Sequence, residues 1–493
     1  MKKIMMIALI YCVVVFLYEK HIKKLISSLK VNRKIEVLLP FLLAVIVYIS
    51  LTFGKLNMGQ NSGDAADIWK TIVSWYTDNI YGSYVMYKGI HSVYPYVWLY
   101  KVAKMVGVNE WLFVKLFFTV TFAYVAAVGF PNMIELLTNK ETNCYKRGAL
   151  VILFWYFWYP TNALTNLMVD LPCLAYFVIL INSALKIYRK QRRVYNYVLL
   201  GFFGGLCMTA SGQYTLPAVC IYIFTLIVIL QFCKHNEWNK RQLFQCVIII
   251  AICTASIIIA NNYFECKVTN TLRSEGAWIP SSNDWLKAGL SRFRYAYRQG
   301  PETTIPSPRN AAILDAYFNG EVPDAITTLQ YIKIFTKYPL DFALNYLNAF
   351  FIVLSPDFGQ FNFWPLFIFY SMLYIALTIG VSKCNSWKKF FSPMFWIGFS
   401  FLWAVVPMLV MNIEARTCMQ IQGIIIALAI CDDYMWNKLK QVLKEIFIIR
   451  KISFERIPYR FILYIIFVMV CFVHISTLYE LCGADSTAIL IHF

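Results

Sequence analysis

The stretch Phe244–Ala260, FQCVIIIAICTASIIIA, carries no charged residue, and neither do Val37–Phe53, Tyr197–Phe232, Phe363–Val381 or Pro393–Met411. About 20 apolar residues in a helix cross the ~30 Å hydrocarbon core of a bilayer. In lipid a chain must satisfy its own backbone hydrogen bonds, so such runs are helices unless they close into a barrel. Repeated along the chain, they dictate an all-α integral membrane protein. The composition agrees, at 59% hydrophobic and 14% charged, which is more apolar than soluble domains usually are.

The spans read as Ile4–Leu17, Val37–Phe53, Leu112–Phe130, Gly148–Asn162, Leu171–Leu185, Tyr197–Ala210, Tyr214–Phe232, Phe244–Ala260, Phe363–Val381, Pro393–Met411, Thr417–Ile430 and Ile462–Leu478. Together they imply about 11–13 transmembrane helices in one bundle. The chain divides into an N-terminal transmembrane module over 1–260, a loop region over 261–362 and C-terminal transmembrane helices over 363–493. The opening segment has a basic start and an apolar core but no small-residue cleavage site, so it reads as a retained, rather short first helix.

A net charge of +19 comes from short basic clusters between spans, such as KIYRKQRR, KHNEWNKR and SKCNSWKK. That is the bias of cytoplasmic loops and suits anionic headgroups, and it excludes a nucleic-acid surface. Most of the 14 cysteines lie in or beside apolar runs. With no CxxC or Cys/His spacing they read as small apolar packers.

Alternation then puts two long segments on the extracytoplasmic side, Gly54–Trp111 and Asn261–Asn362, each expected to carry interfacial helices. The segment Leu340–Leu354 is ~22 Å long as a helix, short of the ~30 Å core. It contains Asp341, Asn345 and Asn348. A full crossing there would also expel SKCNSWKK from the cytoplasm, so the segment is expected to lie along the outer surface or dip in.

The acids gather at outer edges. Asp64 and Asp67 follow the second span; on a helix starting near Ser62 they share a face, and as first-turn acids they also suit the helix dipole. Asp170, in LMVDLPCLAYF, opens a returning helix with Pro172 close behind. Glu414 and Arg416, in NIEAR, sit between two apolar spans. Arginine matches phosphate bidentately, and beyond a surface ion pair that is the chemistry Arg416 offers. Tyr94, Tyr96 and Trp98 lie in SVYPYVWLY, where they form either an interfacial aromatic belt or a sugar-stacking surface. His91 stands alone and is not a metal ligand. The absence of ionisable groups in most spans speaks against an ion-coupled transport path.

In order, these pieces resemble membrane glycosyltransferases of the GT-C fold, over about Val37–Ile430. The resemblance is carried by the Asp64/Asp67 loop, Tyr87, Gly89, SVYPY and Gly107, the helix-opening Asp170, GFFGGLCMTASGQYTLP and the late EAR. The family usually has a Tyr after that Arg, where this chain has Thr417; a DxD pair is also missing. The resemblance implies an inverting transferase in the plasma membrane of a bacterial-type cell. Its donor is a polyprenyl-phosphate-linked sugar, and its acceptor a glycan, lipid or protein of the cell envelope, as in polysaccharide assembly. By the same resemblance, Asp64 or Asp67 is the catalytic base, and Arg416 with Arg292, Arg294 and Arg298 holds the donor phosphate. Asp170 and Glu414 support the acceptor, and Tyr94, Tyr96 and Trp98 contact sugar or lipid. It also allows a divalent metal at Asp64 and Asp67. The rival readings are a flippase or transporter of lipid-linked glycans, a polysaccharide polymerase or ligase, and an assembly subunit without chemistry.

Overall fold

The structure, a computed structural model, describes residues 2–22, 32–55, 64–77, 89–160, 163–191, 193–235, 240–274, 292–295, 303–306, 308–323, 326–354, 363–383, 392–406, 418–432 and 459–481. Each apolar run contains a helix among the described residues. In chain order the helices are α1 (Lys2–Leu17), α2 (Asn32–Leu51), α3 (Asp64–Thr77), α4 (Ile90–Val106), α5 (Glu110–Ala123), α6 (Phe130–Thr138), α7 (Cys144–Trp158), α8 (Asp170–Tyr188), α9 (Val194–Ala210), α10 (Thr215–Lys234) and α11 (Lys240–Ser274). There follow α12 (Pro308–Tyr317), α13 (Thr328–Lys337), α14 (Pro339–Leu354), α15 (Phe363–Lys383), α16 (Pro393–Trp403), α17 (Met419–Cys431) and α18 (Tyr459–Leu481). Strands β1 (Arg292–Tyr295) and β2 (Thr303–Pro306) pair as one antiparallel hairpin, an addition to the all-helical expectation.

Among the described residues, 7 helical runs are long and apolar enough to cross a membrane by length and composition. The chain is a helical membrane protein. Two sequence expectations change. The first helix is not short: α1 continues through a π-helical turn, Tyr18–Ile22, and the run Lys2–His21 has 20 residues. The helix opening at Lys240 does not stop at Ala260 but runs 35 residues to Ser274, ~52 Å at 1.5 Å per residue. No Gly or Pro interrupts NNYFECKVTNTLRS, and Thr269 and Thr271 bond back to the carbonyls of Glu265 and Lys267. The polar last turns therefore continue the helix beyond its apolar run.

The chain forms two compact units, Met1–Pro280 with Phe390–Ala404, and Ser281–Lys389 with Val405–Phe493. In the second, Ile313, Leu314, Ile326 and Ile334 make a small core beneath Tyr317, Tyr331 and Tyr338. Ser371 of α15 meets the Tyr464 hydroxyl of α18 at 2.7 Å.

In the first unit, small residues let helices close up, as expected where lipid supplies no hydrophobic drive between them. A Cβ at Gly201 would lie 2.6 Å from the Ile250 carbonyl oxygen, and one at Gly205 2.8 Å from Ile257 Cβ, so α9 lies flat on α11. Tyr222 of α10 joins the same junction through Thr254, at 2.7 Å.

Hydrogen bonds show which helix ends share a level. At one end Arg147 is fully buried. Its guanidinium donates to Glu135 Oε1 and Asn132 Oδ1, both at 2.8 Å, and to the Ala127 carbonyl, also at 2.8 Å. That carbonyl needs a donor because Pro131, four residues on, has no N–H; the chain also widens into a π-helical turn at Tyr124–Gly129. Arg33 pairs with the other oxygen of Glu135, and Arg189 caps the Leu136 carbonyl at 2.7 Å. The starts of α2 and α7 and the ends of α6 and α8 thus meet here. At the opposite end Trp155 Nε1 bonds Thr52 Oγ1 at 2.9 Å, and the Tyr48 hydroxyl bonds the Leu164 carbonyl at 2.9 Å.

Candidate functional site

The opposite end of the first unit, where α8 starts at Asp170, gathers the segments that the sequence singled out. Helix α4 enters it through Gly89, which has φ 73° and ψ 156°, a conformation open only to glycine. A Cβ at Gly89 would collide with the Thr209 carbonyl oxygen at the end of α9. The first α4 amide, that of Ile90, donates to Asn261 Oδ1 of α11 at 3.1 Å. Asn261 in turn donates to Glu265 Oε2 at 3.2 Å. His91 Nε2 donates to the Ile257 carbonyl at 3.2 Å. Burial pulls its imidazole below its ordinary pKa, with the hydrogen bond acting the other way.

Asp170 meets the same junction from the other side. It is the first residue of α8, 5% exposed, and within electrostatic reach of Tyr214. Cys173, one turn on, contacts the Ala210 carbonyl through Sγ at 3.8 Å. Thr209 thus faces the start of α4 and Ala210 the start of α8. Beyond Ala210 the backbone extends at Ser211 and turns through Gly212–Tyr214 into α10. The polar break in GLCMTASGQYTLP is therefore the seam on which two helix starts rest.

Helix α3 lies beside α4, and its rings join it to α4, α5 and α11. Trp69 stacks on Trp111 with centroids 3.7 Å apart, and Trp75 packs near Tyr94 at 5.9 Å and Phe264 at 6.3 Å. Its buried face is Ala65, Ile68, Ile72 and Trp75. Asp67 is on the other face, exposed, and its carbonyl accepts from the Thr71 hydroxyl at 2.7 Å. Asp64 opens the helix, and its side chain lies outside the described residues.

The aromatic candidates separate. Trp98 is 53% exposed and Tyr94 half-buried. Tyr96, expected at a sugar or lipid contact, is fully buried, and its hydroxyl donates to the Met168 carbonyl at 2.7 Å. It locks α4 onto the chain just before α8. Helix α4 runs from the α9–α11 seam to Gly107, whose left-handed turn hands the chain to α5; it lies as a strap across this end.

Arg298, Glu414 and Arg416 lie outside the described residues. Arg292 and Arg294 pair through their backbones with Pro306 and Thr304 in the hairpin, and their side chains lie outside the described residues. No protein-family model matches the chain, and neither a curated protein nor a solved structure matches it. Among the described residues, no group of three or more His, Cys, Asp or Glu side chains could hold a metal ion. No step below runs through a metal ion.

Glu265 was not legible as a site residue. A carboxylate placed four residues after Asn261, just past an apolar run, was the available signal. The Arg147–Glu135 pair was also missed, and Pro131 inside a helix was its signal.

Proposed function

We propose that this chain is a membrane glycosyltransferase of the GT-C type with about eleven to thirteen spans, residing in the plasma membrane of a bacterial-type cell. It transfers a sugar from a polyprenyl-phosphate carrier to an acceptor glycan, lipid or protein. The observation that supports the reading best is the meeting at one end of Gly89, Asp170 and the Thr209–Tyr214 break. These are three separate segments of the resemblance, and the arginine-rich end lies opposite. By the bias of basic residues that opposite end is cytoplasmic, so the junction faces outward.

Asp67 or Asp64 takes the proton from the acceptor hydroxyl as its oxygen attacks the anomeric carbon. The bond from that carbon to the carrier phosphate breaks, and the lipid phosphate leaves with the electron pair. Arg416, with Arg292, Arg294 and Arg298, stabilises its charge. Asp170, buried at the start of α8, positions the acceptor side of the site, with Glu414 as a second acid.

Purified protein in nanodiscs, supplied with radiolabelled polyprenyl-phosphate-linked hexose and membrane extract as acceptor, is expected to release label from the carrier. Folded protein that leaves every lipid-linked hexose intact overturns the proposal.

A further inference from the structure

The 3₁₀ turn Phe53–Lys55, just past the end of α2, stands between two lysines. Lys115 of α5 lies over the Phe53 ring, 5.2 Å from its centroid. Lys55 donates to the Tyr159 hydroxyl at 3.0 Å and lies over that ring at 5.5 Å. Neither has a carboxylate partner among the described residues, whereas nearby Lys104 is paired with Glu110. Lys55 lies just past the apolar run that ends at Leu51, and Lys115 about a turn and a half inside the run that opens at Glu110. Rings crowd that level: Trp69 stacked on Trp111, and Trp155 on Tyr159 at 4.8 Å. Tyrosine and tryptophan mark the water–lipid boundary in membrane proteins. Lysines at that depth carry their stems along apolar surface and their heads to the phosphate layer.

We propose that Lys55 and Lys115 form a binding site for the phosphate of an anionic phospholipid headgroup at the Asp170 end of the first unit. Two ammonium groups at one turn, each held against an aromatic ring and with no carboxylate partner among the described residues, suit one phosphate with its acyl chains beside α2 and α5. The exposed Leu112 and Leu116 of α5 offer those chains an apolar surface. The ring contacts hold each ammonium at modest cost, since a cation over an aromatic face stays solvated on its far side. The site does not depend on sugar transfer.

The test is native mass spectrometry of the protein released from nanodiscs of phosphatidylglycerol, of phosphatidylcholine, or of phosphatidylcholine with polyprenyl phosphate. Wild type is expected to retain phosphatidylglycerol over phosphatidylcholine. Retention should fall about fivefold per lysine removed in K55Q, K115Q and the double variant, and survive in K55R/K115R. Each single variant is read separately, so the proposal stays testable if the double variant does not fold. Unchanged retention in the glutamine variants overturns it. So does an equal fall in K186Q/K234Q, which removes the same charge at the other end, or retention of polyprenyl phosphate alone.

Discussion

Gly89 abuts Thr209 so closely that a side chain on the first would occupy the carbonyl oxygen of the second. With φ at 73° the glycine is needed twice, for the turn and for the contact. Gly107 ends the same helix at φ 72° with nothing within 4 Å of its missing Cβ. The pair separates the two demands. Gly107→Ala meets backbone strain alone, ~1–3 kcal/mol. Gly89→Ala must also part α4 from α9, and its apparent melting temperature in detergent is expected to fall well below that of Gly107→Ala. Equal falls would remove the close contact from the account.

Asp67 and Asp170 are both candidate acids, but burial gives them different signatures. Asp67 is exposed, so Asp67→Asn is expected to leave stability within ~0.5 kcal/mol. If it is the base, the same change lowers transfer by about 10²–10⁴. Asp170 is buried, so Asp170→Ala is expected to lower both transfer and melting temperature, and Asp170→Asn to lower transfer more than stability. Full transfer by both Asp64→Asn and Asp67→Asn sinks the base assignment.

Buried Arg147 and part-buried Glu135 form a pair whose members also bond the backbone, Arg147 at the Ala127 carbonyl and Glu135 at the Thr142 amide. Removing one partner of such a pair costs ~3–5 kcal/mol, because the other charge is left in a poor solvent. Arg147→Gln and Glu135→Gln are each expected to unfold at markedly lower temperature, and the double variant to lose less than the sum. Strict additivity in a double-mutant cycle would mean the two act independently.

His91 adds a pH dependence of known sign. Its folded pKa lies below its ordinary value, which is about 6.5 unfolded. The unfolded chain therefore takes up the proton first as pH falls. Stability is complete above about pH 6.5 and declines below it. Melting in detergent from pH 7 to pH 5 should show a steeper decline for wild type than for His91→Gln; matched slopes would assign the decline to other groups.

Sidedness is open to direct labelling. Cys266 is exposed on the last turns of α11, at the Asp170 end. In a background freed of the other cysteines, an impermeant maleimide added to intact cells is expected to modify Cys266. A cysteine introduced by Lys234→Cys, at the other end, should stay protected. Reversed labelling would turn the proposed orientation over.

Much of this was legible in the chain, for reasons tied to particular residues. FQCVIIIAICTASIIIA had to be helical, and Gly201 and Gly205 stand four apart as helix-packing residues do. Asp170 was legible as a helix start because LP follows it. The extension of α11 past Ala260 was not, since NNYFECKVTNTLRS is mostly weaker helix formers and its continuation rests on the local bonds of Thr269 and Thr271 and on contacts to α4. Tyr96 was taken for a surface ring because aromatic residues at a membrane boundary look alike in a sequence. Its burial and its bond to Met168 separate it from Trp98.

The sequence by itself determined that these runs are membrane helices and which connections are basic. Those are local properties, because a helix in lipid closes its own backbone hydrogen bonds and its solvent reads only its side chains. Tertiary structure alone decided that Gly89 rests on Thr209, that Arg147 answers the carbonyl stranded by Pro131, and that Asp170 and the start of α4 meet along one seam. Each joins residues far apart in the chain. Which of many apolar helices lie side by side depends on the fit of small residues and the pairing of buried polar groups, and neither is written in any one segment.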